Sequence, residues 1–539
     1  MSNAYRHPEP FLSSDRADAA VLENADVTLR RAMGEILSRR AAVGLACGVV
    51  RDGDLAYFYG HGLADVASKT PVTEDTVFRI GSVTKLFTAI AMMQLSERGL
   101  VDLDAPVNDY LRTYRLIPAE PDFRPATPRH LLTHTAGIPE VRGLADLLHA
   151  DLTPAGGRPA VLSVRAGEPL PSLAQYYRAG LRVVVEPGTA FAYTNHGFAT
   201  LGQVIEDVSG LSLDRYLRER IFEPLGMTHT DLVRSASVRT RLATGYVLGR
   251  RGPEPVSDRD WIGVGSGGVF STTGDMARFT AALLGGGANR HGRILEPATL
   301  ATMFAPHFQP DPRISGIGLG FFRSEVDGHR VVSHDGILPG FNSALLAAPD
   351  DGVGIIAFTN GSPDAFAWLP IELHNLLHEL LGVPDGARNA VPQHSGIWAD
   401  FCGRYVFQAR ISDLRVRLTL SRGAEVTVVG GRLVVRLLTP LPIPLRGLPL
   451  LPDDEHDPDV FRLDLSDLGM QPVRVVFGRG PEGRVTVAHT DLGGQPWSLI
   501  RREGAETGRT GLSLLLGAIM VAGALHLARR RSRKRRSMT

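Results

Sequence analysis

Ser82 and Lys85 stand three residues apart in the run Gly81-Ser82-Val83-Thr84-Lys85. On a helix such positions share a face, with Cβ atoms about 5–6 Å apart, so the lysine amine reaches the serine hydroxyl. A serine hydroxyl is a weak nucleophile until a base takes its proton. Lysine serves as that base where its surroundings lower its pKa. The free N–H groups of a helix N-terminus would face the negative charge that develops on an attacked carbonyl. The pair therefore suits acyl transfer through Ser82. Taken alone it also fits an ordinary helix cap followed by a surface lysine.

Two further groups extend this chemistry. In Tyr193-Thr194-Asn195, Tyr193 offers a phenolate-type base if cations lower its pKa, and Asn195 offers an amide to bind substrate and hold Lys85. In His334-Asp335-Gly336-Ile337, at the end of the strand-like HRVVSH, a backbone N–H on an edge strand could pair with a substrate carbonyl and complete an oxyanion hole with the N–H of Ser82. His130 and His134, four apart, are weighed as metal ligands and read instead as structural. The glycines of GVGSGGVF lack the strand-to-helix setting of a phosphate loop and read as a pocket floor.

The elements that must position these residues are legible as patterns. Leu29, Met33, Ile36 and Leu37 fall on one helical face, with Asp26 as the expected cap. LACGVV and LAYFYG flank Asp52-Gly53, a hairpin signal. A helix starting near Ser82 runs through LFTAIAMMQLSERG, with Gly99 as its terminator. Leu201, Ile205 and Val208 mark a helix after Asn195, closed by Gly210. HRVVSH, SALLAAP and VGIIAF are late strands, the last two joined by Pro349-Asp350-Asp351-Gly352. Strands early and late with helices between give an α+β fold, an antiparallel sheet flanked by helices, rather than alternating α/β. The insert 141–186, just ahead of Tyr193, is expected to form a lid. Beyond a linker at 386–398 the pattern changes to short alternating strands (LRVRLTL, EVTVV-GG-RLVVRLL, VFRLDL, VRVVFG, RVTVAH), a β-barrel or sandwich over 399–503. Residues 1–24 read as a flexible lead and 25–385 as the catalytic unit.

With 43% hydrophobic and 21% charged residues, the 539-residue chain has the balance of a globular enzyme. Its net charge is +1, and seven basic residues lie between Arg529 and Arg536. The body is thus mildly acidic and has no nucleic-acid face. Cys47 and Cys402 are too few for a disulfide framework or a zinc site and read as buried thiols. Met1–Leu22 contains no apolar stretch of the secretory type. Residues 511–528 are uncharged apart from His526 and are followed at once by the basic run. This implies a single membrane-spanning helix at the short end of the usual range, with the tail cytoplasmic and the catalytic body outside. That topology conflicts with the lack of an export signal.

VFRIGSVTKLFTAIAMMQL resembles the nucleophile helix of the serine β-lactamase-like hydrolases, which include class C β-lactamases, DD-peptidases, D-aminopeptidases and esterases. In these, S-x-x-K accompanies S-D-N and K-T-G motifs; here Y-T-N and H-D-G occupy those places. RHLLTHTAGIP, EPGTAFAYTNHGFATLGQVIEDVSG, IFEPLGMTHT and GSGGVFSTTGDMARF also look familial, and the resemblance covers about 25–385 in the expected order. It implies Ser82 as acylated nucleophile, Lys85 as partner base, Tyr193 as general acid or base and Asn195 as positioner. It makes His334 and Gly336 the third motif and the N–H of Ile337 the second oxyanion donor, with no cofactor and no metal. Substrates would be small molecules or peptides with an ester or amide bond. The chain departs from the pattern where Lys and Thr would attract a substrate carboxylate. An Asp335 facing the pocket would repel an anion about 4 Å away by about 4 kcal/mol at an effective dielectric near 20. Esterase or D-amino-acid peptidase or amidase activity is therefore favoured over true β-lactamase. The alternative is a non-catalytic, penicillin-binding-like recognition or scaffold protein. The stretch from FCGRY resembles the lipocalin-like modules attached to some of these hydrolases.

Overall fold

A computed structural model describes residues 14–140, 162–249, 251–383, 391, 395–407, 423–438, 447–466 and 470–502. An interior strand of its main sheet is Gly44–Arg51, whose apolar residues are buried on both faces. Leu45, Cys47 and Val49 point to one side, where they meet Met33 and Ile36 of the helix Ser14–Arg39 and Trp368, Leu373 and Leu377 of the helix Ala365–Leu380. Ala46 and Val50 point to the other, into the larger core under the helices Thr84–Glu97 and Thr273–Leu284. This period-two alternation makes a sheet between two helical layers. Glycine permits the close fit. A Cβ on Gly48 would lie 2.8 Å from Thr273 Cγ2, so the helix Thr273–Leu284 could not press on the sheet as it does.

The sheet has seven strands in the order Phe322–Val326, His329–Leu338, Phe341–Ala348, Val353–Thr359, Gly44–Arg51, Asp54–Asp65 and Thr70–Pro71, all antiparallel. Early and late strands meet as expected, with Cys47 opposite Ala357. Asp52 and Gly53 both take positive φ, 54° and 80°, the form of a two-residue hairpin turn whose twist matches its strands.

The helix Thr84–Glu97 is buried on nearly every side, so its apolar residues are not confined to one stripe. It ends as read: Gly99 is left-handed at φ 67°, and Leu100 N–H and Gly99 N–H reach back to the carbonyls of Leu95 and Ser96 at 2.9 Å each. Its start differs. Ser82 lies in a 3-10 turn, Gly81–Val83, and the α-helix begins at Thr84. The helix expected to be capped by Asp26 begins earlier, at Ser14. Cys47 is fully buried, but Cys402 is only half-buried.

The C-terminal strands close into an eight-stranded antiparallel barrel, in which Gly403–Phe407 pairs with both Ala424–Val429 and Trp497–Arg502. Side chains fill it, among them Phe401, Tyr405, Phe461 and Phe477. Gly430 and Gly431, at φ 57° and 72°, form the turn expected of them. LRVRLTL, most of the linker and residues 141–161 of the expected lid lie outside the described residues.

The single-pass membrane assignment is corrected: among the described residues no helix is long and apolar enough to cross a membrane. The 26-residue helix Ser14–Arg39 has the length but carries charges throughout, whereas the apolar helix Ala365–Leu380 has only 16 residues. Residues 511–528 lie outside the described set.

Candidate active site

Three segments come together around Lys85. The first is the turn at Ser82. Gly81 has φ 51°, and a Cβ there would lie 2.9 Å from the backbone nitrogen of Ile337. A Cβ on Gly336 would lie 3.0 Å from the nitrogen of Ser82. Two glycines facing each other thus bring the N–H groups of Ser82 and Ile337 to one place. Ser343 locks the approach by donating its hydroxyl to the carbonyl of Ile80 at 2.6 Å.

Lys85, one turn on, is wholly buried. Its Nζ lies 3.0 Å from Ser82 Oγ, 2.7 Å from Asn195 Oδ1 and 2.7 Å from the carbonyl of Ser266. It also stands 5.0 Å from the centre of the Tyr193 ring. Burial pushes its pKa down to about 7, while the charges of Glu140 and Asp335 oppose that shift. Loss of hydration penalises the ammonium more than these neighbours restore.

The second segment places Tyr193 and Asn195. Thr194 is the N-cap of the helix Asn195–Ser209, its hydroxyl accepting from His196 N–H at 3.2 Å. Asn195 is the first helical residue, and its amide projects inward. Tyr193 packs on His134 with ring centres 4.3 Å apart. His134, once weighed as a metal ligand, takes φ 56° and accepts the N–H of Thr194 at Nδ1, 3.2 Å away. His130 closes a capping box with Thr127.

The third segment corrects an expectation of position. His334, Asp335, Gly336 and Ile337, expected at the end of an edge strand, lie inside the longer strand His329–Leu338, which is second from the edge. Pairing with the edge strand stops at Ser333 opposite Phe322, so residues 334–338 run past it. His334 is buried and stacks on Phe322 with ring centres 4.5 Å apart. Its Nδ1 lies 2.7 Å from the carbonyl of Asp335. A carbonyl only accepts, so Nδ1 carries the hydrogen and Nε2 keeps a lone pair. Burial, with the Lys85 charge adding to it, pushes the imidazole pKa down to about 3. His334 is therefore neutral across the working range and does not replace the cation of a K-T-G lysine.

Two contributors had no signal in the sequence reading. Ser266 acts through its carbonyl, which any residue has; the short turn Val264–Gly267 brings it there, among the glycines read as pocket floor. Glu140 follows the Gly-Ile-Pro run and is buried. Its Oε1 accepts from Asn195 Nδ2 at 2.7 Å, and its Oε2 accepts from Asn195 N–H at 2.6 Å and Thr194 Oγ1 at 3.1 Å.

Comparison with known proteins gives the family and the fold. The family model described as Beta-lactamase matches residues 29–374. Penicillin-binding protein 4 of Amycolatopsis lactamdurans is 32% identical over 356 residues, 63% of this chain and 86% of that one. Esterase EstB of Burkholderia gladioli is 31% identical over 401 residues, 72% of this chain and 89% of that one. The structure of the octameric penicillin-binding protein homologue from Pyrococcus abyssi superimposes with a TM-score of 0.54 at 24% identity, covering 90% of this chain and all of that one. The chain belongs to the β-lactamase family of serine hydrolases.

Proposed function

We propose that the chain hydrolyses neutral or amine-bearing esters or amides through an acyl-Ser82 intermediate. The observation that carries this is the set of acceptors around Lys85. When the amine is neutral, its two hydrogens go to Asn195 Oδ1 and the Ser266 carbonyl, both of which can only accept. The lone pair is then left for the Ser82 hydroxyl at 3.0 Å. With a pKa near 7, a large share of the molecules holds this form at neutral pH. Ser82 attacks the carbonyl, Lys85 takes its proton, and the N–H groups of Ser82 and Ile337 face the oxyanion. Tyr193, against the amine, relays the proton to the leaving group and then helps water attack the acyl-serine.

The preference for neutral substrates rests on the third motif. Neutral His334 supplies no cation, and Asp335 beside it brings negative charge near Lys85. Both an esterase and a penicillin-binding protein are among the relatives, and this charge pattern favours the esterase or amidase branch over turnover of carboxylate-bearing β-lactams.

Hydrolysis of p-nitrophenyl butyrate by wild type and Ser82→Ala, with intact mass recorded during turnover, tests the reading. A transient acyl adduct on wild type and a loss of about 10⁴-fold or more in the variant are expected. A permanent adduct without turnover would instead favour a recognition protein.

A further inference from the structure

We infer that Glu140 is a positioning residue for the reaction: its carboxylate fixes which end of the Asn195 amide faces Lys85, and so aims the lysine lone pair at Ser82. The inference rests on the reading of Lys85 as the base of Ser82.

The two ends of a side-chain amide are alike in shape and opposite in hydrogen bonding, so an amide between two partners is oriented by the more demanding one. Among the described residues, every group on the Glu140 carboxylate is a donor: Asn195 Nδ2 at 2.7 Å, Asn195 N–H at 2.6 Å and Thr194 Oγ1 at 3.1 Å. A carboxylate accepts and cannot donate, so Nδ2 must turn toward it and Oδ1 toward Lys85, where it lies 2.7 Å from Nζ.

The two carboxylate oxygens have separate tasks. Oε2 binds the first N–H of the helix Asn195–Ser209 and the Thr194 hydroxyl, an end-of-helix role in which negative charge is favourable. That role needs no contact with the Asn195 side chain. Oε1 makes that contact, and through it reaches the amine. The main chain of Glu140 adds to the fit, its carbonyl lying 3.0 Å from His196 Nε2.

A reversed amide would be costly to the chemistry. With Nδ2 facing the amine, a neutral Lys85 would accept from it and have no lone pair for Ser82. Glutamine at 140 permits this reversal. Its carbonyl can retain the helix-end contacts while its NH2 turns toward Asn195, which then presents Oδ1 to residue 140 and Nδ2 to Lys85. The substitution also removes one of the two carboxylates that favour the ammonium. The ionisable groups around the amine are Glu140 and Asp335, which raise its pKa, His134 and His334, held neutral by burial, and Tyr193.

The test uses the full chain, a fluorophosphonate probe that phosphonylates activated serines, and intact mass to follow labelling of Ser82 between pH 5 and 9. Activity through a neutral amine rises as pH passes the lysine pKa, so wild type is expected to show an acid limb near 7. In Glu140→Gln the loss of the opposing charge moves that limb about one unit to lower pH. The reversed amide lowers the plateau about 10- to 100-fold. Glu140→Asp, which keeps the charge, holds the limb at its wild-type position. An unchanged plateau in Glu140→Gln shows that the carboxylate does not orient the amide, and a lowered plateau with an unmoved limb shows a purely structural role; either overturns the inference while leaving the hydrolase reading intact. Absence of Ser82 labelling in wild type overturns both. Circular dichroism checks folding. If Glu140→Gln does not fold, Glu140→Ala with added formate replaces it, and restoration of labelling by the small carboxylate is expected; no restoration overturns the inference.

Discussion

Burying Lys85 carries a cost to the fold. Its pKa falls from 10.5 to about 7 because an ammonium is buried with three hydrogen-bond acceptors and, among the described residues, no direct salt bridge. The unfolded chain holds that proton up to 10.5 and the folded one releases it near 7. Between those values unfolding takes up a proton, so this group makes the fold more stable as pH rises. Lys85→Met removes the contribution. Denaturation of both proteins from pH 7 to 10 is expected to show the variant more stable at 7, with its advantage shrinking by up to about 1.4 kcal/mol per pH unit, even as esterase activity drops about 100-fold or more. In the proposed function, Asp335 is the residue that sets specificity. In Asp335→Thr, kcat/KM for an ester bearing a carboxylate is expected to rise about 10-fold or more relative to its neutral counterpart, since each tenfold needs only about 1.4 kcal/mol of relieved repulsion. An unchanged ratio would remove Asp335 from the specificity account.

Among the elements, the turn Gly81–Val83 and the strand His329–Leu338 depend on each other. Gly81→Ala places a methyl group at positive φ and 2.9 Å from the Ile337 nitrogen. The expected outcome is about 1–3 kcal/mol lower stability in urea and a fall in kcat larger than any rise in KM, because the displaced N–H groups face the transition state more than the substrate. This pair also shows what a sequence reveals. Ser82 and Lys85 lie in a short run whose spacing follows from helical periodicity, Tyr193 and Asn195 lie in a polar run just ahead of a periodic helix, and the hairpins at 52–53 and 430–431 follow from glycine's freedom at positive φ. The start of the serine helix was less visible, since a 3-10 turn and an α-helix share their first residues. The contribution of Ser266 is a carbonyl and carries no side-chain signature. Glu140 reaches Asn195 only through tertiary folding, and a glutamate after Gly-Ile-Pro looks like any loop carboxylate.

At the scale of the molecule, the barrel docks beside the catalytic site. Trp497 packs edge-on against Phe191, 5.7 Å between ring centres, in a cluster with Ile317, Phe322 and Tyr193. Phe322 in turn stacks on His334. Asp491 of the barrel accepts the N–H of Ser315 at 2.6 Å, Arg313 pairs with Asp457 at 2.8 Å, and Ile314 is buried with Val460 and Val476. Trp497→Ala is therefore expected to destabilise the docked state by about 1–3 kcal/mol, since a half-buried aromatic loses less than a core one. It should also change kcat/KM for bulky acyl groups more than for acetyl esters. Equal effects on both would separate the barrel from substrate choice.

The pairing of Gly44–Arg51 with Val353–Thr359 has a consequence for how the chain comes to exist. The ribosome releases the strand Gly44–Arg51 before the serine helix and the Tyr193 helix, and its partner only after both have emerged. Until then LACGVV has an unpaired side, and the hydrophobic surface it will cover stays open. Pairings so remote in sequence fold slowly, because the whole intervening loop must be ordered to form them. Co-expression with a chaperone that shields apolar strands is therefore expected to raise the soluble yield, and an unchanged yield would show that this late pairing does not limit folding.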